Sequence, residues 1–189
     1  MNRYFLLGIV VEGPSDKLFF ESHKRWFEEQ GVALKIVQTR GRSAMIQEAE
    51  KHLKSLWLKG CQKVFFFLDQ DADVCPPFTA ERLKSVAGES DAVICVMARA
   101  LEAWLLADEE AITRATGQPF KSQPTDALDR PKEILKGLFR RRHHGIAPPD
   151  RRMVATLCHH FSFERAAENN ASLCRFLKNL KGESLCQKL

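Results

Sequence analysis

Asp69, Asp71 and Asp73 stand at alternate positions of a 189-residue chain, and Glu12 stands far upstream of them. While the backbone is extended, alternate side chains leave it on one side, so the three aspartates converge. Carboxylates crowded together repel one another unless a cation neutralises them. Oxygen-only donors select hard ions, so the cluster implies Mg²⁺ or Mn²⁺ with waters completing an octahedral shell. One or two such ions can activate a nucleophile and stabilise a leaving oxygen, which makes phosphodiester chemistry the expected use.

Other chemistry fits the same residues less well. A calcium loop of the EF-hand kind that began at Asp69 would need Gly at its sixth place and Glu at its twelfth. Val74 and Ala80 stand there. His143-His144 and His159-His160 are adjacent pairs with no carboxylate close in sequence, and a surface or packing role is the expectation for them rather than zinc. Arg40 and Arg42 flank Gly41 and are candidates for binding phosphate, or for simple solvation of a turn. From Arg130 to Arg152 the cations Arg130, Lys132, Lys136, Arg140, Arg141, Arg142, Arg151 and Arg152 outnumber Glu133 and Asp150. Such a block favours a polyanion, and a solvated helix face is the competing reading.

The acids need elements to bring them together. Tyr4 to Val11 is an almost unbroken apolar run that ends in Glu12-Gly13, the pattern of a central parallel strand. Pro14-Ser15-Asp16 opens a helix expected to reach about Gln30, and Gly31 stops it. Val32 to Thr39 alternates as a strand, Ser43 to Leu58 reads as a helix, and Lys63 to Leu68 is a third apolar strand running into Asp69. Thr79 to Ala87 is expected to be helical and Asp91 to Ala98 a fourth strand. Alternation of this kind predicts an α/β fold: a four-stranded parallel sheet with helices on both faces. In open sheets of that type ligands bind beyond the carboxyl ends of the strands, which is where Glu12 and Asp69 fall. After Arg99 the pattern is helical: Ala100–Asp108, Glu110–Thr116, Lys132–Arg142, Asp150–Cys158, Phe163–Glu168 and Ser172–Leu180. The expected layout is an α/β core over 1–108 with a mainly helical part over 109–189. Phe5, Phe65, Phe66, Phe67, Trp26, Trp57 and Trp104 are expected to be core rather than base-stacking platforms.

Val10-Val11-Glu12-Gly13-Pro14-Ser15-Asp16 followed by Phe66-Phe67-Leu68-Asp69-Gln70-Asp71-Ala72-Asp73 resembles the toprim domain, whose signature is a Glu-Gly turn after strand one and an Asp-x-Asp after strand three. Topoisomerases, bacterial primases, ribosomal-RNA maturases and the overcoming-lysogenization-defect nucleases share that domain. Arg99-Ala100-Leu101-Glu102-Ala103-Trp104, Arg130-Pro131-Lys132-Glu133 and Cys174-Arg175-Phe176-Leu177 further resemble short stand-alone bacterial toprim proteins, similar to those nucleases but without an ATPase domain. The resemblance implies a divalent-metal-dependent endonuclease. Glu12 would be a metal ligand and general acid or base, Asp16 a second contact, Asp69 and Asp71 the metal-binding pair, and Asp73 and Glu102 further acids. Lys132 would supply positive charge to the reacting phosphate. Arg40, Arg42, Arg99, Arg140, Arg141 and Arg142 would hold nucleic acid, with DNA ahead of RNA. Asp at position 16, where Glu is frequent in the family, shortens that side chain's reach. Implied partners are a separate ATPase and a second copy of the chain, in a role such as defence against phage. The alternatives are a non-catalytic toprim subunit that binds an ATPase, and an endonuclease of RNA maturation.

Composition narrows the setting. Apolar residues make up 44% of the chain and charged residues 28%, enough for a core, and the net charge is +5. No run approaches the ~18 apolar residues of a membrane span, and the N-terminal run meets Glu12 without a small-residue cleavage site, so no membrane association is expected. Six cysteines without metal-knuckle spacing fit reduced thiols and a cytoplasmic location. The only tyrosine is Tyr4, which argues against strand passage, and no Gly-x-x-x-x-Gly-Lys-Ser/Thr loop is present for ATP.

Overall fold

The structure, a computed structural model, describes residues 5–69, 81, 85, 92–97, 100–121, 123–142 and 145–181. The helix expected from Thr79 to Ala87 falls largely outside these residues, as do Asp71, Asp73, Arg99 and the His143-His144 pair. The chain divides into two compact units, Met1–Val96 and Met97–Leu189.

The first unit is α/β. Its strands are β1 (Phe5–Val11), β2 (Val32–Gln38), β3 (Lys63–Asp69) and β4 (Ala92–Met97), in the spatial order β2-β1-β3-β4. β1 pairs in parallel with β2, Phe5 opposite Val32, and in parallel with β3, Leu7 opposite Lys63. The central place of β1 explains its composition: Leu7, Ile9, Val10 and Val11 are wholly buried, as a strand covered on both faces requires. Helices supply the cover. Phe20 of α1 (Pro14–Ser22) lies 4.6 Å, ring to ring, from Phe67, while the next residue along, Phe66, packs in a cluster with Met45 of α3 (Arg42–Gln47) and Leu53 and Leu56 of α4 (Ala49–Leu58). Gly8 permits this packing, because a Cβ there would meet Leu56 Cδ1 at 2.9 Å and Val64 Cγ2 at 3.1 Å.

Two helices expected to be continuous are broken. The first divides at His23 into α1 and α2 (Lys24–Glu29). The buried His23 ring donates from Nδ1 to the Phe19 carbonyl at 2.7 Å, so a side chain takes an acceptor that the helix backbone would otherwise use. The second divides at Glu48, where φ is −103° and ψ 9°.

The second unit is helical: α5 (Leu101–Leu106), α6 (Glu109–Thr116), a 3₁₀ turn (Thr125–Ala127), α7 (Pro131–Arg142), α8 (Asp150–Cys158), α9 (Phe163–Asn169) and α10 (Ala171–Lys181). It begins earlier than the 108/109 boundary expected, because α5 is buried along its whole length among helices of this unit. Trp104 is core, as expected, stacked on Phe176 at 5.6 Å. Its indole also heads a buried polar chain: Nε1–H donates to Ser172 Oγ (2.8 Å), Ser172 Oγ–H to Asn170 Oδ1 (2.7 Å), and Asn170 Nδ2–H to Thr125 Oγ1 (2.8 Å). Asp108 caps α6 through the Ala111 amide (3.0 Å) and accepts from Arg165 Nε and Nη2, at 2.9 and 2.8 Å, together with the Ser162 amide at 2.7 Å. One wholly buried carboxylate thereby ties α6 to α9. Among the described residues no helix is long and apolar enough to cross a membrane.

Candidate metal centre

The strand order places the acids. From β1 the chain moves to β2 on one side and then crosses to β3 on the other, so the carboxyl ends of β1 and β3 frame the point where the direction of winding reverses. Open α/β sheets part their loops at such a point and leave a crevice. Glu12 directly follows β1 and Asp69 ends β3. The Asp69 amide donates to Glu12 Oε1 at 3.2 Å, joining residues 57 apart in sequence.

The loop between β2 and α3 is lashed to the same place. The Thr39 amide donates to the Val11 carbonyl at 2.9 Å, and the buried Thr39 hydroxyl lies 3.2 Å from that oxygen and 3.1 Å from the Gly41 carbonyl. Gly41 donates from its amide to the Glu12 carbonyl at 3.2 Å, with a φ of 94° that disfavours any side chain. This lashing delivers Arg42. Its Nε lies 3.4 Å from Glu12 Oε1, and its terminal nitrogen donates to the Asp69 carbonyl. Glu12 and Arg42 are each only 17% exposed, so their charges meet with much of the water removed.

Asp16 has a different task from Glu12. Its Oδ2 accepts from the Gly13 amide at 2.9 Å, the reach-back of a third helical residue to the cap position of α1. The short, buried aspartate thus closes the Glu12-Gly13 turn, and a Cβ on Gly13 would meet that oxygen at 3.3 Å. Arg40, by contrast with Arg42, is exposed.

Glu12, Asp16 and Asp69 therefore share one end of the sheet. Among the described residues no group of three His, Cys, Asp or Glu side chains is gathered so as to hold a metal ion. The donor types nonetheless suit a hard divalent ion, since Glu12 and Asp69 are carboxylate residues at adjacent strand ends. Asp71 and Asp73, which follow in sequence, lie outside the described residues.

Glu102 and Lys132 belong to the second unit. Glu102 is buried in the first turn of α5, and burial pushes its carboxyl above the usual range, against the pull of its own backbone N–H and of Lys132 and Lys136. The Lys132 ammonium pairs with Asp150 at 2.7 Å, linking the start of α7 to the start of α8. Arg140, Arg141 and Arg142 are exposed in the last turn of α7, where cations complement the carbonyl end of a helix.

Sequence reasoning missed Thr39 and Asp150 and read Arg42 as a phosphate ligand or a solvated turn residue, with no partner among the acids. The signal for the first was present: Thr-Arg-Gly-Arg directly after a strand places a hydroxyl, a positive-φ glycine and a cation in one tight turn. No protein-family model matches this chain, and neither a curated protein nor a solved structure matches it.

Proposed function

We propose that the chain is a toprim-type, divalent-metal-dependent nuclease that hydrolyses phosphodiester bonds of DNA or RNA. The observation that carries the reading is the hydrogen bond from the Asp69 amide to Glu12, which sets the acid after β1 against the acid that ends β3 at the winding reversal of the sheet. The finer fold on which the reading relies is four parallel strands with Asp71 and Asp73 continuing the acidic edge. Glu12, Asp69 and Asp71 would hold Mg²⁺ or Mn²⁺, with Asp73 as a further acid. The ion, when bound, supplies Lewis-acid stabilisation of charge on the phosphate oxygens. Glu12 would also move a proton at the reacting centre, and Asp16 keeps the Glu12 turn closed. Lys132, held by Asp150, would contact the nucleic-acid backbone, as would Arg40, Arg99, Arg140, Arg141 and Arg142.

The test is cleavage of plasmid, linear duplex, single strands and structured RNA with Mn²⁺ or Mg²⁺, with Asp69→Asn as control. The variant is expected to lose activity beyond the ~100-fold that loss of an outer partner costs, with an unchanged melting profile. Full cleavage by Asp69→Asn would end the proposal. Preference for structured RNA over duplex DNA would move the reading to RNA maturation.

A second reading draws on Arg42. A cation already pairs with Glu12, as would suit a non-catalytic toprim subunit that works by binding a separate ATPase. Absence of cleavage together with retained Mn²⁺ binding would favour it.

A further inference from the structure

We infer that Arg42 is the built-in counter-cation of the Glu12 carboxylate, holding the metal centre together when no ion is bound and giving up Glu12 when a divalent ion arrives. The inference rests on the metal-centre reading above and assigns Arg42 a positioning role there in place of a phosphate contact.

Three observations lead to it. The guanidinium spans the two strand ends, with Nε 3.4 Å from Glu12 Oε1 and a terminal nitrogen donating to the Asp69 carbonyl. The oxygen that meets Arg42 is also the one that accepts from the Asp69 amide at 3.2 Å, so the contacts form a closed set across β1 and β3. Arg42 cannot drift away from the site, because the Thr39 and Gly41 amides bind its loop to the Val11 and Glu12 carbonyls at 2.9 and 3.2 Å.

The consequence follows from size and charge. An Mg²⁺ or Mn²⁺ ion takes a carboxylate oxygen at about 2.0–2.2 Å, far closer than a guanidinium approaches. The two cations repel if both keep Glu12, in a place where 17% exposure leaves little water to screen them. An ion taken on Glu12 Oε1 would therefore displace the guanidinium from that oxygen, while the Asp69 carbonyl remains an acceptor for it. Displacement forfeits a charge-assisted contact, which weakens the wild-type metal affinity by about tenfold relative to a site without the competitor.

The experiment is Mn²⁺ titration by calorimetry and by the Mn²⁺ electron spin resonance signal, on wild type, Arg42→Gln and Arg42→Lys, with thermal melts in EDTA and in Mn²⁺. Arg42→Gln is expected to bind Mn²⁺ about tenfold more tightly than wild type, because the amide keeps a hydrogen bond but not the charge. It should melt lower than wild type in EDTA and recover in Mn²⁺. Arg42→Lys keeps the charge and should stay within about threefold of the wild-type affinity. Should Arg42→Gln prove poorly folded in EDTA, its recovery to the wild-type melting profile in Mn²⁺ supports the counter-cation, and failure to recover while wild type binds Mn²⁺ overturns it. Unchanged or weaker binding by Arg42→Gln, beside a wild type that binds Mn²⁺, overturns the counter-cation and leaves the metal centre standing. No Mn²⁺ uptake by any of the three proteins overturns both.

Discussion

Glu102 and Asp69 pose different electrostatic problems. Asp69 sits where the Arg42 guanidinium reaches its carbonyl, whereas Glu102 is buried with Lys132 and Lys136 only partly offsetting its desolvation. A carboxyl held above its ordinary value binds its proton more tightly in the folded chain than in the unfolded one. Stability associated with Glu102 is therefore fully present below the ordinary value of 4.5 and is lost as pH rises through the higher folded value. Urea denaturation in EDTA at several pH values checks this against Glu102→Gln, which cannot ionise. The variant should match wild type in acid and gain on it steadily as pH rises toward neutrality. A variant less stable than wild type at neutral pH would mean that the fold holds the charged carboxylate.

At the scale of elements, close approach of strand and helix decides the first unit. α4 lies against β1 and β3 because Gly8 offers no Cβ in front of Leu56 and Val64. Gly8→Ala should overpack that contact and cost about 1–3 kcal/mol, read from the shift in denaturation midpoint at constant slope. A shift below ~0.5 kcal/mol would show that Leu56 yields freely. Helices and strands were legible in the sequence because apolar periodicity survives at Leu7 to Val11, Val64 to Leu68 and along α7 to α10. The breaks at His23 and Glu48 were not. The first turns on a ring nitrogen reaching one carbonyl, a contact that periodicity does not encode.

At the scale of the whole molecule, positive charge is concentrated in the second unit, where Arg140, Arg141 and Arg142 end α7 in solvent and Arg151 and Arg152 are exposed on α8. If that surface holds a nucleic-acid backbone, each arginine that meets a phosphate releases counterions and contributes about 0.9 to the salt slope on duplex DNA. Replacing Arg140, Arg141 and Arg142 together by alanine should weaken duplex binding and lower the slope by as much as ~2.7, measured by fluorescence anisotropy across salt concentrations. An unchanged slope would identify these arginines as a solvated helix end.

The amino-acid sequence alone determined that strands and helices alternate, that acids stand directly behind β1 and β3, and that helices follow Arg99, because each of these depends on neighbours along the chain. Tertiary structure decided what surrounds the acids. The order β2-β1-β3 brings the Thr39–Arg42 turn beside Glu12 and Asp69, so a cation that linear reading took for a phosphate ligand pairs with a carboxylate. The same holds for Asp16, a cap of the Glu12 turn, and for Asp108 with Arg165. Charge partners are selected by which strand ends and helix ends come to lie side by side, and packing sets that after the local pattern has formed its elements.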